Sequence, residues 1–268
     1  MSANDVDGCL AEATVVHTLL EVKESVLAVA LLDSELYILC NGRTDNQIDV
    51  YATTPDYALR RRLTVPRLGR YDAQDMASSQ PNSFLYIADS GGRCIHRLPP
   101  TGGTVTRWRV PREPCGLSVT PTGGLLVVCG GERALLLEMG VVDGRLRMRQ
   151  VELQADIVGA CQAIQLSTGQ FAIRLRGEPG LCVVDADGQL TRSYVGSASL
   201  TKLRCPSHVT RGNGRIFVAD DHRVVVLSWS LEFVRDVIPV ALPSSLCLDQ
   251  VTGRLYVGHG RGVTFVQL

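Results

Sequence analysis

The sequence has almost no lysine: Lys23 and Lys202 are the only two, and arginine supplies the rest of the 27 basic side chains. Those 27 meet 27 acidic ones, so no global field holds a polyanion, although basic groups gathered on one face still can. No apolar run reaches the roughly 18 residues that a membrane-spanning helix needs. Met1 to Leu10 lacks the basic start and apolar core of a secretion signal, and the expectation is a soluble, cytoplasmic chain. CxxC spacing is missing, which argues against a zinc knuckle or a thioredoxin-type motif. The nine cysteines are odd in number, and four lie in apolar runs (Cys40, Cys129, Cys182, Cys247), as reduced buried thiols do; disulfides are not expected. Helical spacing is nowhere sustained over about a dozen residues, which disfavours a mixed α/β fold. Neither a nucleophile elbow nor a phosphate-binding loop is present.

What the chain does have is a repeat. FLYIADSG (Phe84 to Gly91) returns as ELYILCNG (Glu35 to Gly42), LLVVCGGE (Leu125 to Glu132), QFAIRLRG (Gln170 to Gly177), RIFVADDH (Arg215 to His222) and RLYVGHGR (Arg254 to Arg261). The copies start roughly 40 to 50 residues apart, a period that in an all-β pattern means one four-stranded propeller blade per repeat. A closed array needs all its blades, so residues 12–268 are read as one six-bladed all-β propeller after a loose polar tail, 1–11. Blades are placed near 26–64, 73–109, 116–151, 161–194, 206–237 and 244–268. The last repeat stops one strand short, while strand-like TVVHTLLEV (Thr14 to Val22) precedes the first complete blade. If 14–22 is the outermost strand of the last blade, each end satisfies the other's open edge.

Within a repeat the expected order is inner strand, tight turn, repeated strand, loop, third strand and outer strand. In the second blade these are Gln74 to Ser78, Phe84 to Asp89, Cys94 to Leu98 and Val105 to Arg109. Glycine-bearing turns such as TPTGG (Thr120 to Gly124) and DQVTG (Asp249 to Gly253) define one face, the closed one. The opposite face takes the loops after the second strands and the longer connections between blades, and binding is expected there.

YIADSGGRCIHRL (Tyr86 to Leu98) and IFVADDHRVVVL (Ile216 to Leu227) resemble the NHL repeat, in which a strand ending Ala-Asp is followed by a turn and an arginine. In the other copies Cys40, Gly130, Leu175 and His259 stand in place of the aspartate. WD40 fits less well, since its Gly-His and Trp-Asp signatures are missing and Trp108 and Trp229 are the only tryptophans. The resemblance implies a propeller similar to the C-terminal NHL domains of tripartite-motif ubiquitin ligases, which bind protein or structured RNA. No RING, B-box or coiled-coil pattern occurs in the chain, so ligase chemistry is not carried over.

Propeller hydrolases and lyases gather metal ligands at the mouth of the central channel. Alignment of the repeats puts Ala28, Asp75, Gly116, Ala163, His208 and Ser245 on that ring, with Leu27, Gln74, Cys115, Gln162, Ser207 and Ser244 just before them. Asp75 and His208 are the strong ligands, read as three blades apart; Gln74 and Gln162 complete the candidate channel mouth. Calcium wants more oxygen ligands than this. A zinc site from His208, Cys205, Cys161 and Cys115 is the sharper alternative to a plain channel wall. The expectation is no metal, no cofactor and no catalytic residue, hence not an enzyme. Asp89 with Arg93 and Asp220 with Arg223 are read as corner pairs that hold the blade.

Arginines mark the loop face. Each loop after a second strand has one (Arg43, Arg93, Arg133, Arg176, Arg223, Arg261), and Arg67, Arg70, Arg112 and Arg204 lie on connections between blades. Acidic neighbours dilute the patch, and Tyr71 is the one clear aromatic on the loops, which leaves RNA little to stack on. The expected function is a non-catalytic interaction module that binds a partner, such as an acidic peptide, through this face. RNA binding there and a metal-dependent hydrolase or lyase are the alternatives.

Overall fold

Six antiparallel sheets of four strands form the propeller in the computed structural model, with no helix among the described residues. Described are residues 19–268 except 23, 42–45, 55, 70, 132, 155–156, 178–179, 195, 197–200 and 261. The tail read at 1–11 therefore lies outside them. Strand β1 is Leu19–Glu21, and blade 1 is β2 (Ser25–Leu32), β3 (Glu35–Asn41), β4 (Gln47–Ala52) and β5 (Leu59–Thr64). Blade 2 is β6 (Ala73–Ser79), β7 (Phe84–Asp89), β8 (Cys94–Leu98) and β9 (Thr106–Arg109). Blade 3 follows as β10 (Pro114–Val119), β11 (Leu125–Cys129), β12 (Leu135–Val142) and β13 (Arg145–Glu152). Blade 4 is β14 (Ala160–Gln165), β15 (Phe171–Leu175), β16 (Leu181–Val184) and β17 (Leu190–Ser193). Blade 5 is β18 (Pro206–Gly212), β19 (Arg215–Asp220), β20 (Arg223–Ser228) and β21 (Phe233–Pro239). Blade 6 comprises β22 (Pro243–Asp249), β23 (Arg254–His259) and β24 (Gly262–Gln267), completed by β1.

The second strands are apolar on both faces because each is covered twice. Along β7, Leu85 and Ile87 join the core shared with Leu39 and Ile48 of blade 1, while Tyr86 and Ala88 join Val127 and Leu137 of blade 3. Period-2 alternation thus sends successive apolar side chains into opposite blade interfaces.

Closure is both apolar and hydrogen-bonded. β1 pairs antiparallel with β24, Leu20 opposite Val263. Val22, Val26, Tyr57, Tyr256 and Phe265 share one core across the junction of blades 6 and 1, with Tyr57 stacked on Phe265 at 4.2 Å. Arg254 Nη1 donates to the Tyr57 hydroxyl at 2.8 Å.

Every inner strand carries an irregularity at the same place. The pairing of inner with second strand shifts register at Val26/Ala28, Ala73/Asp75, Pro114/Gly116, Ala160/Gln162, Pro206/His208 and Pro243/Ser245. Such a bulge re-aims the side chain that follows it. In four blades that side chain reaches the backbone of a neighbouring inner strand. Leu117 N–H donates to Asp75 Oδ2 (2.8 Å), Val209 N–H to Gln162 Oε1 (2.8 Å), Leu246 N–H to His208 Nδ1 (3.2 Å) and Val29 N–H to Ser245 Oγ (3.0 Å). This belt ties blade 2 to 3, 4 to 5, 5 to 6 and 6 to 1. Between blades 3 and 4 a close approach replaces it: a Cβ on Gly116 would stand 2.1 Å from the Cys161 carbonyl oxygen, so only glycine fits.

Candidate functional site

The ring position in blade 4 belongs to Gln162, not to Ala163. The bulge takes up Cys161 rather than Gln162, which moves the alignment by one residue. A second correction follows from the channel's narrowness. Asp75 and His208, read as three blades apart at the channel mouth, meet across it with His208 Nε2 3.6 Å from Asp75 Oδ1. Gln162 bridges them, its Nε2 2.8 Å from His208 Nε2 and 3.4 Å from Asp75 Oδ2. The Leu246 N–H donates to His208 Nδ1. These three side chains plug the channel at the level of the bulges. Gln74, the bulged residue of blade 2, stays outside the plug and donates to the Tyr71 carbonyl and Ser90 Oγ.

On the loop face a pocket of about 570 Å³ opens over blades 2 to 4. Three bulged residues, Gln74, Cys115 and Cys161, form part of its wall, and Arg93, Arg112 and Arg176 surround it together with Glu113. Glycine backbone makes room for them: Gly131 lies against the Arg112 side chain and Gly159, at φ +72°, against Arg176. Arg93 pairs with Glu113 at 3.3 Å, both well exposed. Arg112 donates to the Arg133 carbonyl, and Arg176 Nε to Cys161 Sγ at 3.0 Å. Burial pushes the Cys115 thiol up to about 12, so it remains protonated and a poor ligand or nucleophile.

The other predicted arginines among the described residues do not join this pocket. Arg67, at φ +66°, lines a separate cleft with Asn46 and Leu68. Arg204 stands 3.8 Å from Asp221, and Arg223 is held by Asp220, Asp236 and the Lys202 carbonyl. Arg43, Arg70 and Arg261 lie outside the described residues.

Of the two corner pairs, one forms. Arg223 Nε reaches Asp220 Oδ2 at 3.4 Å, and Asp220 also accepts the Arg204 and Cys205 N–H groups. Asp89 turns instead to His96, whose Nε2 is 2.7 Å from Oδ2, and to Arg107 at 3.6 Å. Arg93 sits in a left-handed turn (φ +45°) that aims it at Glu113 instead. Among the described residues, Asp89, Cys94 and His96 are the group of metal-ligand types drawn together, within 4.8 Å of one another and fully buried. The quartet His208, Cys205, Cys161 and Cys115 forms no such group. Asp89 is already satisfied by His96, Arg107 and the Gly92 N–H, which accounts for the cluster as an internal ion-pair network.

The turn face, expected to be closed, holds the larger cavity, about 770 Å³, a funnel whose wall includes residues of all six inner strands. Small side chains such as Ala30, Ala77 and Ser118 leave the channel open on this side of the plug, and Gln162 and His208 lie in its lining. The sequence signal was there, in small residues at the far ends of the inner strands.

No family model matches the chain, and no curated protein sequence does. Solved structures do. Virginiamycin B lyase from Staphylococcus aureus superposes with a TM-score of 0.66 at 11% identity, over 94% of this chain and 99% of that one. A streptogramin B lyase gives 0.66 at 12% identity, over 95% and 97%. Kuenenia stuttgartiensis hydrazine synthase gives 0.63 at 12%, over 99% of both chains. Likeness at such identity is likeness of fold. It bears out the propeller, and lyase-type propellers rather than NHL domains carry it. The reading of the chain as not an enzyme is corrected by the same finding: this fold is shared with lyases, so the architecture gives no ground for excluding catalysis.

Proposed function

We propose that the protein is a ligand-binding propeller that takes an acidic group of a peptide partner into the loop-face pocket over blades 2 to 4. The supporting observation is the convergence of Arg93, Arg112 and Arg176 on one concavity where, among the described residues of the lining, Glu113 is the single carboxylate. Glu113 already occupies Arg93, which leaves Arg112 and Arg176 as the cations for an incoming carboxylate. Reversing both, Arg112→Glu with Arg176→Glu, is expected to weaken binding of a polyglutamate peptide at least tenfold, while the melting temperature stays put because exposed charges contribute little to stability. Fluorescence anisotropy at two salt concentrations measures it. Equal affinity in the double variant, with the fold intact, removes the pocket from the interface. RNA finds less support, since Tyr71 is the exposed aromatic near this pocket and single-strand readers depend on stacking.

The shared fold supports a second reading, in which the bound molecule is a substrate. Incubation with virginiamycin B, followed by mass spectrometry, tests it directly. Conversion that survives in the Arg112/Arg176 double variant points to the channel instead of the loop-face pocket; no conversion rejects this substrate.

A further inference from the structure

The turn-face funnel contains a charge that nothing in the fold explains. Arg211, on β18, lines it and is only partly exposed. Among the described residues its guanidinium has no carboxylate, carbonyl or ring in contact. Two half-buried arginines elsewhere have acidic partners, Arg61 with Glu35 at 2.6 Å and Arg223 with Asp220 at 3.4 Å, whereas Arg211 faces a cavity without one. Burial lowers the affinity of Arg211 for its proton, and no neighbouring acid offsets this. Yet an arginine does not escape the cost by deprotonating. A partly desolvated cation on a cavity wall, with no counter-charge of its own, is a ready partner for an anion that enters the cavity.

The two carboxylates of the funnel do not supply it. Asp249 accepts the Val251 and Thr252 N–H groups and the Thr252 hydroxyl, which fixes it in its own turn. Asp33 accepts the Ser83 hydroxyl at the exposed rim. The wall also offers apolar surface from Leu117, Ile164, Leu246 and Leu248. A cavity of about 770 Å³ with a mixed wall of apolar and polar side chains has the size of a small-molecule site.

We infer that the turn-face funnel binds a small organic acid, its carboxylate on Arg211 and its apolar body against Leu117, Ile164 and Leu246. One fixed positive charge matches a singly charged carboxylate. A dianionic phosphate brings a second negative charge that no cation of the lining meets, and the rim carboxylates Asp33 and Asp249 oppose it. This site is separate from the loop-face pocket, with the Asp75, Gln162 and His208 plug between them.

The test uses the full chain and a set of small fluorinated carboxylic acids, each paired with its primary amide, read by fluorine NMR. Inorganic phosphate and phenyl phosphate are run beside them. Expected is binding of acids with an apolar body at least tenfold tighter than of their amides. Arg211→Met should erase that preference and melt no lower than the parent, since it removes a partly desolvated charge that has no partner in the fold among the described residues; Arg211→Lys should retain most of it. The Arg112/Arg176 double variant should bind the acids as the parent does, which separates this site from the loop face. The inference is overturned by the absence of any acid preference in the parent, by a preference that persists in Arg211→Met, or by phenyl phosphate binding more tightly than the acids. A fall in melting temperature of Arg211→Met with binding unchanged also overturns it, and assigns Arg211 to the fold.

Discussion

Removal of residues 1–22 is expected to lower the melting temperature by roughly 10 °C and to make the protein associate through blade 6. The deletion takes away β1, whose Leu20 and Glu21 pair with Val263 and Gly262, and Val22, which is 6% exposed in the core joining blades 6 and 1. Burying a valine contributes about 1.5–3 kcal/mol, and each net ladder hydrogen bond about 1 kcal/mol, so the loss is on the order of 4 kcal/mol. More follows from the edge left behind. β24 is apolar and buried from Gly262 to Val266, and without β1 it presents unpaired backbone groups along a hydrophobic strand, a template for pairing with another chain. Removing only 1–11, read as a loose polar tail, should change neither quantity. Differential scanning calorimetry and light scattering of the two truncations decide the matter, and a monomeric 1–22 deletion that melts with the parent would falsify closure by β1.

This much of the fold was legible because a propeller repeats its constraints. The second strands must be apolar on both faces, since Leu85 and Ile87 meet one neighbouring blade while Tyr86 and Ala88 meet the other. A strand missing at one end and spare at the other can be matched before any coordinates exist. β7 and β8 fall on the residues read for them, Phe84–Asp89 and Cys94–Leu98. Bulges were not legible in the same way. One extra residue leaves no periodic mark, and in blade 4 the choice between Cys161 and Gln162 depends on which of them finds the Val209 N–H across the interface.

The sites were harder, for a physical reason. Charge along the chain shows that a loop has an arginine but not where its guanidinium ends. Arg93, Arg112 and Arg176 reach one pocket, whereas Arg204 and Arg223 are taken up by Asp221, Asp220 and Asp236. Arg211, on the face read as closed, carried no signal at all. What sets it apart is that it lines a cavity and has no partner there among the described residues, and that is a property of three-dimensional surroundings alone. Similarly, His208 and Asp75 belong to blades well separated in sequence, and only the channel's small radius brings them within 3.6 Å.

Replacing Asp75 with alanine is expected to destabilise the propeller by about 3–5 kcal/mol, more than its charge alone suggests. Asp75 is 4% exposed and accepts three groups: the Met76 N–H at 2.8 Å, the Leu117 N–H at 2.8 Å and Gln162 Nε2 at 3.4 Å. Alanine leaves two backbone donors with no acceptor, each costing about 1–3 kcal/mol in a buried setting, and frees Gln162 to shift. The Gln162 Oε1 contact with the Val209 N–H then loosens as well, so the effect passes from the junction of blades 2 and 3 to that of 4 and 5. Asp75→Asn separates hydrogen bonding from charge. Its single oxygen satisfies one of the two N–H groups while its amide nitrogen confronts the other, so an intermediate loss is expected. A double-mutant cycle between Asp75→Ala and Gln162→Ala, read by urea denaturation, should give a coupling of about 1 kcal/mol or more, as residues in one buried network do. If Asp75→Ala unfolds at the parent's urea midpoint, or the two substitutions simply add, the belt of side chains around the channel does not hold the blades together and the interdigitated apolar interfaces do so alone.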